Sequence, residues 1–142
     1  DLRTQAPAVK RFAADLRLDY AQFLELEIFN RFGAMMDDKT RAIIEHGRRI
    51  RALLIQRQYA PRSLAEEISV LLAAKRGLLD KAPLDTVAGL IPRIFEGVSE
   101  QAPRLVASMN ESGELTAEEE EMLTTTIESI IAGSGVLEEE KA

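Results

Sequence analysis

The chain has 142 residues, 46% of them hydrophobic and 30% charged, and it carries a formal net charge of −6. This length and composition suit one globular domain, and the acidic balance argues against a nucleic-acid groove, which needs a basic surface. The absence of cysteine excludes disulfides, thiolate metal sites and cysteine nucleophiles.

Helical periodicity governs the beginning of the sequence. Apolar residues recur at intervals of three and four, which predicts a long first helix over about residues 6–29. Pro7 suits the first turn of this helix, where its missing N–H group costs nothing. We expect the stretch NRFGAMM to form the link that follows, with Gly33 as a C-terminal cap.

An aspartate pair, Asp37 and Asp38, precedes the second apolar stripe. A carboxylate there can accept hydrogen bonds from the free N–H groups of a helix start, so the pair predicts a second helix that runs to about Gln56. A metal cage would require several more oxygen ligands at set spacing. We therefore expect capping rather than metal binding.

A capping box begins the third helix. Ser63 and Glu66 stand three residues apart, so each side chain can bond the backbone N–H group of the other. The apolar stripe behind this pair ends near Gly77, and a break follows at DKAPLD.

Two segments with prolines come next. One apolar stripe runs from Leu84 to Val98 and contains Pro92, and a shorter one opens with Pro103 and ends at Gly113. Either proline can begin a helix or kink one, and the periodicity leaves both possibilities open.

A second capping box, Thr116 with Glu119, begins the sixth helix, which stops at Gly133. The four glutamates at 118–121 fall in its first turn, where negative charge is favoured, and we expect them to form a solvated face. Residues 134–142 are predicted to be a flexible acidic tail.

These elements predict an all-α fold, a single bundle of about six helices in one domain over residues 1–142. No segment shows the alternation of a strand, and no apolar run approaches the roughly 18–20 residues that cross a bilayer. The core is expected to include Phe12, Leu16, Tyr20, Ile43, Ile50, Leu54, Ile68, Leu72, Ile94 and Ile127.

Few side chains offer the chemistry of an active site. His46 is the only histidine. It lies at the edge of the second apolar stripe with no serine or carboxylate clearly placed beside it, so we expect a boundary residue rather than a catalytic one. Arg48, Arg49 and Arg51 are expected on the outer faces of the same helix, as solvated charge or against an acidic partner. Phosphate loops and zinc-protease signatures are absent, so the sequence predicts no catalytic residue, no metal site and no enzyme.

The ordered segments together resemble the C-terminal helical domain of the alpha subunit of F-type ATP synthases. The resemblance covers essentially the whole sequence. It is densest in LRLDYAQFLELEIFNRFGAMMDDKTRAIIEHGRRIRALLIQRQYAP, in GLLDKAP and in SGELTAEEEEMLTTTIESIIAGSG. No single piece is decisive, but the ordered set over more than a hundred residues is strong evidence for the resemblance.

The resemblance assigns a role to two glutamines, Gln56 and Gln58, which flank Arg57. On residue type alone both are surface residues, since glutamine is mostly exposed. By resemblance they lie on the adenine side of a non-catalytic nucleotide, where an amide offers both a donor and an acceptor. The nucleotide, ATP or ADP with magnesium, is implied for the full-length subunit only, and we expect no cofactor for this polypeptide by itself.

The same resemblance implies partners and a place in the cell. The domain would pack beside beta subunits and the central gamma stalk of a hexameric ring, peripheral to the cytoplasmic side of a bacterial inner membrane and without inserting into it. The phosphate loop and the arginine that completes a neighbouring catalytic site would lie upstream of Asp1. Residues 1–7 would then be the linker from the missing nucleotide-binding domain.

Several residues depart from the family pattern. Arg31 replaces the usual glutamine, Ala34-Met35-Met36 replaces a more polar stretch, and Arg57 stands where glycine is common. These differences indicate a divergent branch, such as the alternative bacterial synthases, and leave open which ion the parent complex moves.

Two other functions remain open at this point. The protein could be a free-standing helical module whose acidic face binds a basic partner, or an enzyme with an unrecognised site, which the missing motifs disfavour. Asp1 in place of an initial methionine favours an excised piece. A phosphate loop encoded directly upstream would support the synthase, and a start codon at that position would support the module.

Overall fold

The computed structural model describes residues 5–31, 36–55 and 61–137. Within these ranges the fold is helical and contains no strand. In order it forms α1 (Pro7–Arg31), α2 (Asp38–Ile55), α3 (Leu64–Lys75), a 3₁₀ turn (Leu84–Thr86), α4 (Val87–Gln101), α5 (Pro103–Ser112) and α6 (Ala117–Gly133). The predicted all-α bundle of about six helices is confirmed, and none of these helices is both long and apolar enough to span a membrane.

The first helix is longer than predicted. α1 continues to Arg31, two residues past its expected end, and so takes up the start of the NRFGAMM link. The expected cap at Gly33 lies outside the described residues. Both ends of the sequence, 1–4 and 138–142, lie outside them too, whereas Val136 and Leu137 pack against the core.

Acidic and hydroxyl side chains cap the helices as the sequence predicts. The Oδ1 atom of Asp37 accepts a hydrogen bond from the N–H group of Thr40 at 2.7 Å, and this bond lowers the pKa of Asp37. Thr116 and Glu119 make both bonds of a capping box, at 3.1 and 2.9 Å. The starts of α2 and α6 are therefore fixed by local residues.

The third helix carries only half of its predicted capping box. The Oγ atom of Ser63 accepts from the N–H group of Glu66 at 3.2 Å. The Glu66 carboxylate, however, reaches back one residue further and accepts from the N–H group of Arg62 at 2.8 Å. The start of α3 is capped, but without the reciprocal bond.

The structure separates the roles of the two prolines. Pro103 occupies the first turn of α5, where no N–H group is needed. Pro92 lies inside α4 on its exposed face, where water can hydrate the carbonyl group that loses its partner. Gly113 ends α5 in the left-handed conformation, with φ of 68°, as a glycine C-terminal cap requires.

The core is built around α3, which contacts each of the other five helices. Seven of the predicted core residues are buried, and Tyr20 and Ile43 are half-buried. Leu54 was predicted wrongly, because 66% of it is exposed in the last turn of α2, where it lines an open groove instead of packing into the core. The buried seven are Phe12, Leu16, Ile50, Ile68, Leu72, Ile94 and Ile127.

Gly47 permits α1 and α2 to approach closely. A Cβ atom added at this position would lie 2.0 Å from the Cγ atom of Phe23, whose side chain is fully buried. Such an atom cannot be accommodated without moving the root of the aromatic side chain, so glycine is required by the packing of the two helices.

We expect Gly47→Ala to lower the free energy of unfolding by about 1–3 kcal/mol, because it overpacks the contact with Phe23. The matched control is Gly89→Ala in α4, where nothing lies within 4 Å of the added atom. That change should raise stability by about 0.5–1 kcal/mol through helix propensity alone. Urea titration followed by circular dichroism measures both, and an equal response of the two variants would contradict the close approach.

Candidate functional site

The two glutamines assigned to adenine, Gln56 and Gln58, lie outside the described residues. α2 ends at Ile55, and the described part resumes at Pro61. The role of both amides therefore stays a prediction. The residues on either side of this segment lie within the described part of the protein, and they border a groove.

The groove lies between α1, α2 and α3 and has a volume of about 880 Å³. Its walls are almost wholly apolar, and Leu54 and Pro61, which line it, stand on the two sides of residues 56–60. Two charged side chains, Arg17 of α1 and Glu67 of α3, are the exceptions. The remaining lining residues are Ala13, Leu16, Tyr20, Ala21, Leu24, Ile50, Leu53, Val70, Leu71 and Ile91.

Arg51 holds α2 against α1 one turn before the end of α2. Its guanidinium donates to both carboxylate oxygens of Glu27, at 3.0 and 2.9 Å, and its Nε atom donates to the hydroxyl oxygen of Tyr20 at 3.0 Å. The same group lies 4.8 Å from the centre of the Phe23 ring. The hydrogen bonds from Arg51 lower the pKa of Glu27.

The three arginines of α2 do not share the solvated position predicted for them. Arg48 is half-exposed and pairs with Glu45 of its own helix at 2.7 Å, as a surface residue would. Arg51 instead stacks on α1, and Arg49 is only 6% exposed. The prediction is wrong for Arg49 and Arg51, because α2 presents them to elements that are distant in sequence.

Arg49 fastens α2 to the segment that follows α3. It donates to the backbone oxygen of Ala82 at 2.6 Å, and to the backbone oxygen and carboxylate of Glu45 on its own helix. A buried guanidinium loses its hydration and requires such partners. Arg49 thereby fixes the position of the segment around Ala82.

Arg49→Ala should destabilise the fold by about 2–3 kcal/mol, because it strands the buried oxygen of Ala82 and removes packing. Arg48→Ala is the control on the same helix, and its effect should stay within about 0.5 kcal/mol. Thermal and urea unfolding of both variants provide the measurement. Similar losses for the two would mean that Arg49 is as solvated as the periodicity suggested.

His46 has two carboxylate partners that the sequence did not reveal. Its Nδ1 atom lies 3.0 Å from the carboxylate of Asp80, and its Nε2 atom lies 2.9 Å from that of Asp19. The predicted boundary position is confirmed, since the side chain is 17% exposed. The expectation that no carboxylate stands beside it is wrong, because the partners are 27 and 34 residues away.

These contacts change the charge of the imidazole. The hydrogen bond to Asp80 raises the pKa of His46 most, burial opposes it, and the bond to Asp19 adds to it, giving a pKa of about 9. Both ring nitrogens are occupied, which leaves no lone pair for a metal. Across residues 5–31, 36–55 and 61–137, no group of three or more acidic or histidine side chains is arranged to hold a metal ion.

The glutamate run at the start of α6 is not simply a solvated face. Glu120 accepts from Arg11 of α1 at 2.9 Å and from Arg76, just past α3, at 2.6 Å. Burial raises the pKa of Glu120, but the bonds from Arg76 and Arg11 outweigh it, so the net shift is downward. The prediction is therefore wrong for Glu120, which joins three parts of the bundle because α6 starts beside α1 and the end of α3.

Comparison with known proteins identifies the family. A family model described as "ATP synthase alpha/beta chain, C terminal domain" matches residues 5–130. This match spans nearly all of the described bundle, so the protein belongs to this family of ATP synthase C-terminal domains.

The relatives place the protein within that family. It is 39% identical over 130 residues to ATP synthase subunit alpha 2 of Syntrophus aciditrophicus, covering 92% of this sequence and 25% of that protein. It is 44% identical over 112 residues to subunit alpha 2 of Nitrosospira multiformis, covering 78% and 22%. It is also 42% identical over 113 residues to subunit alpha 1 of Rhodopirellula baltica, covering 80% and 22%. The matches support the C-terminal domain of an alpha subunit, and the sequence spans about a quarter of the length of these relatives.

Proposed function

We propose that this domain serves a rotary ATP synthase by closing the adenine side of the non-catalytic nucleotide site of its alpha subunit. Gln56 and Gln58 would form that wall. Their amide groups can both donate and accept hydrogen bonds, as the edge of adenine does. The observation that supports the proposal is the apolar groove that borders the segment carrying both glutamines.

The groove is too large and too apolar to be ordinary surface. It has a volume of about 880 Å³, and Leu54 and Ile55 beside it are 66% and 65% exposed. Contiguous exposed apolar surface of this kind marks a contact with another protein surface. We infer that the rest of the alpha subunit covers the groove, which would bring residues 56–60 to the boundary between two parts of one subunit.

Membership of the family supports a proposal for the wider assembly. In this proposal the parent subunit alternates with beta subunits around a gamma stalk, binds ATP or ADP with magnesium, and belongs to a complex peripheral to the cytoplasmic side of a bacterial membrane. The domain alone would be a structural and regulatory part and not an enzyme.

We expect the domain to hydrolyse no ATP when it is purified by itself. ATP turnover that is abolished by a substitution within the domain would contradict this expectation.

The adenine role is tested in the full-length alpha subunit. Gln56→Ala combined with Gln58→Ala should weaken ATP binding about tenfold, since two neutral hydrogen bonds of roughly 0.5–1.5 kcal/mol each are lost. Binding of an adenine-free triphosphate should not change. Gln101→Ala, at the exposed end of α4, is the matched glutamine control.

The comparison of the two ligands decides the outcome. Equal affinities of the wild type and the double variant for ATP would show that both glutamines are only surface residues. An equal loss for both ligands would point to damaged folding instead of lost adenine contacts. Circular dichroism of each variant distinguishes that case.

The cover over the groove can be tested by thiol labelling, because the sequence has no cysteine. We expect Leu54→Cys and Leu18→Cys to react equally fast in the isolated domain, since these leucines are 66% and 72% exposed. In a full-length subunit without other reactive thiols, Leu54→Cys should be protected, whereas Leu18→Cys outside the groove serves as the reference. Fast labelling of Leu54→Cys there would mean that the groove stays open.

A further inference from the structure

One charged cluster joins three elements and is used by none of the functions above. His46 of α2 lies between Asp19 of α1 and Asp80 of the connector, which comprises residues 76–83 between α3 and the 3₁₀ turn. Its two ring nitrogens lie 2.9 Å from Asp19 and 3.0 Å from Asp80. The imidazole is therefore a bridge between two helices and a loop.

The geometry fixes the protonation state of the bridge. An ionised carboxylate only accepts hydrogen bonds, and a neutral imidazole has a single N–H donor. Since each ring nitrogen faces a carboxylate, both bonds form only when the ring carries two protons and a positive charge. A neutral ring keeps one bond and leaves the other carboxylate facing a nitrogen lone pair.

The other charged side chains near the bridge are paired with partners outside it. On α2, the carboxylate of Glu45 next to His46 is taken up by Arg48 and Arg49. On α1, Asp15 pairs with Lys75 at 3.2 Å. In the connector, Arg76 turns to Glu120 and Glu121 at the start of α6. The groups that act on the charge of His46 are therefore Asp19 and Asp80.

The connector has a second anchor on α2 that does not titrate. Arg49, one turn after His46, donates to the backbone oxygen of Ala82. Around Asp80 the backbone makes short-range bonds, such as those from Asp80 to Gly77 and from Ala82 to Leu79, both at 3.2 Å, while the side chain of Leu79 is buried in the core. Loss of the His46 anchor would thus free the turn at Asp80 from α1 and α2, while Leu79 and Arg49 retain the rest of the connector.

We propose that the Asp19–His46–Asp80 bridge is a pH-sensitive latch, which holds the turn at Asp80 on α1 and α2 while the imidazole is charged and releases this turn in alkaline solution.

The direction of the pH dependence follows from linkage. The pKa of His46 is raised from 6.5 to about 9 in the folded protein. The stabilisation by the bridge is therefore fully present below pH 6.5, and it is lost as the pH rises through about 9. The latch is closed at neutral pH.

The test uses the fact that His46 is the only histidine, so its ring signals need no assignment by mutation. Nuclear magnetic resonance of the labelled protein should show both ring nitrogens protonated at pH 7 and a titration midpoint near 9. Amide hydrogen exchange of Asp80, corrected for intrinsic hydroxide catalysis, should accelerate across the same midpoint, whereas that of Ala82, beside the Arg49 anchor, should change less. Amides at the centre of α3, such as that of Leu72, should not follow it.

Two variants separate the latch from general unfolding. Asp80→Asn removes one carboxylate, so the midpoint should fall toward 6.5 and connector exchange should already be fast at pH 7. His46→Arg keeps a permanent cation between the carboxylates and should abolish the pH step in connector exchange. Circular dichroism confirms that each variant is folded at the pH of measurement.

Two results would overturn the proposal. A midpoint near 6.5 in the folded wild-type protein would show that the bridge does not hold a charged ring. Connector exchange that ignores the titration of His46 would show that the bridge does not fasten the connector.

Discussion

Burial of α3 is the constraint on which the bundle depends. This helix touches every other helix and buries six of its twelve residues. Small residues on its surface, among them Ala65, Ser69 and Ala73, let neighbouring backbones come close. The hydroxyl group of Ser69 donates to the oxygen of Ala65 at 2.7 Å, so even the polar atom in this contact has a partner. A helix enclosed on several sides must be apolar around most of its circumference, and the sequence of α3 meets this requirement.

Charged side chains then fix how the outer helices sit on that centre. Glu120 joins α6 to α1 and to the end of α3 through Arg11 and Arg76. Arg49 and His46 join α2 to the connector. Individual ion pairs add little net stability, because desolvation offsets their attraction. They disfavour other packing arrangements of the outer helices, however, since rotation of α2 would leave Arg49 buried without a partner.

The sequence predicts what depends on local spacing and misses what depends on distant partners. Periodicity and capping residues located all six helices, because each signal lies within a few positions of the boundary it marks. Arg49 and Glu120 were assigned to solvent, and His46 was expected to have no carboxylate partner, because the partners of all three lie in other elements. Helical spacing carries no information about which element packs against a given face. Leu54 failed for a related reason, since an apolar stripe can run past the helices that cover it. The assignment of Gln56 and Gln58 differs again, because spacing alone makes them surface residues and only the family resemblance points to adenine.

The apolar surface beside those glutamines is unevenly distributed over the bundle. Six of the eight large apolar side chains exposed in the described part of the protein belong to α1 and α2, namely Leu18, Leu24, Ile28, Phe29, Leu54 and Ile55. A helix that is apolar beyond the face it buries has more than one partner. Within the bundle α1 meets α2, α3 and the ion pairs of α6, and these contacts leave its groove side open.

The bundle therefore buries the apolar surface around α3 but leaves apolar surface exposed along α1 and α2, the side on which residues 56–60 begin. A surface evolved only for solvent would carry its excess apolar side chains scattered. Two of these six, Leu24 and Leu54, line the groove, and Ile55 directly precedes the glutamine segment, which supports the proposed contact with the rest of the alpha subunit at this surface.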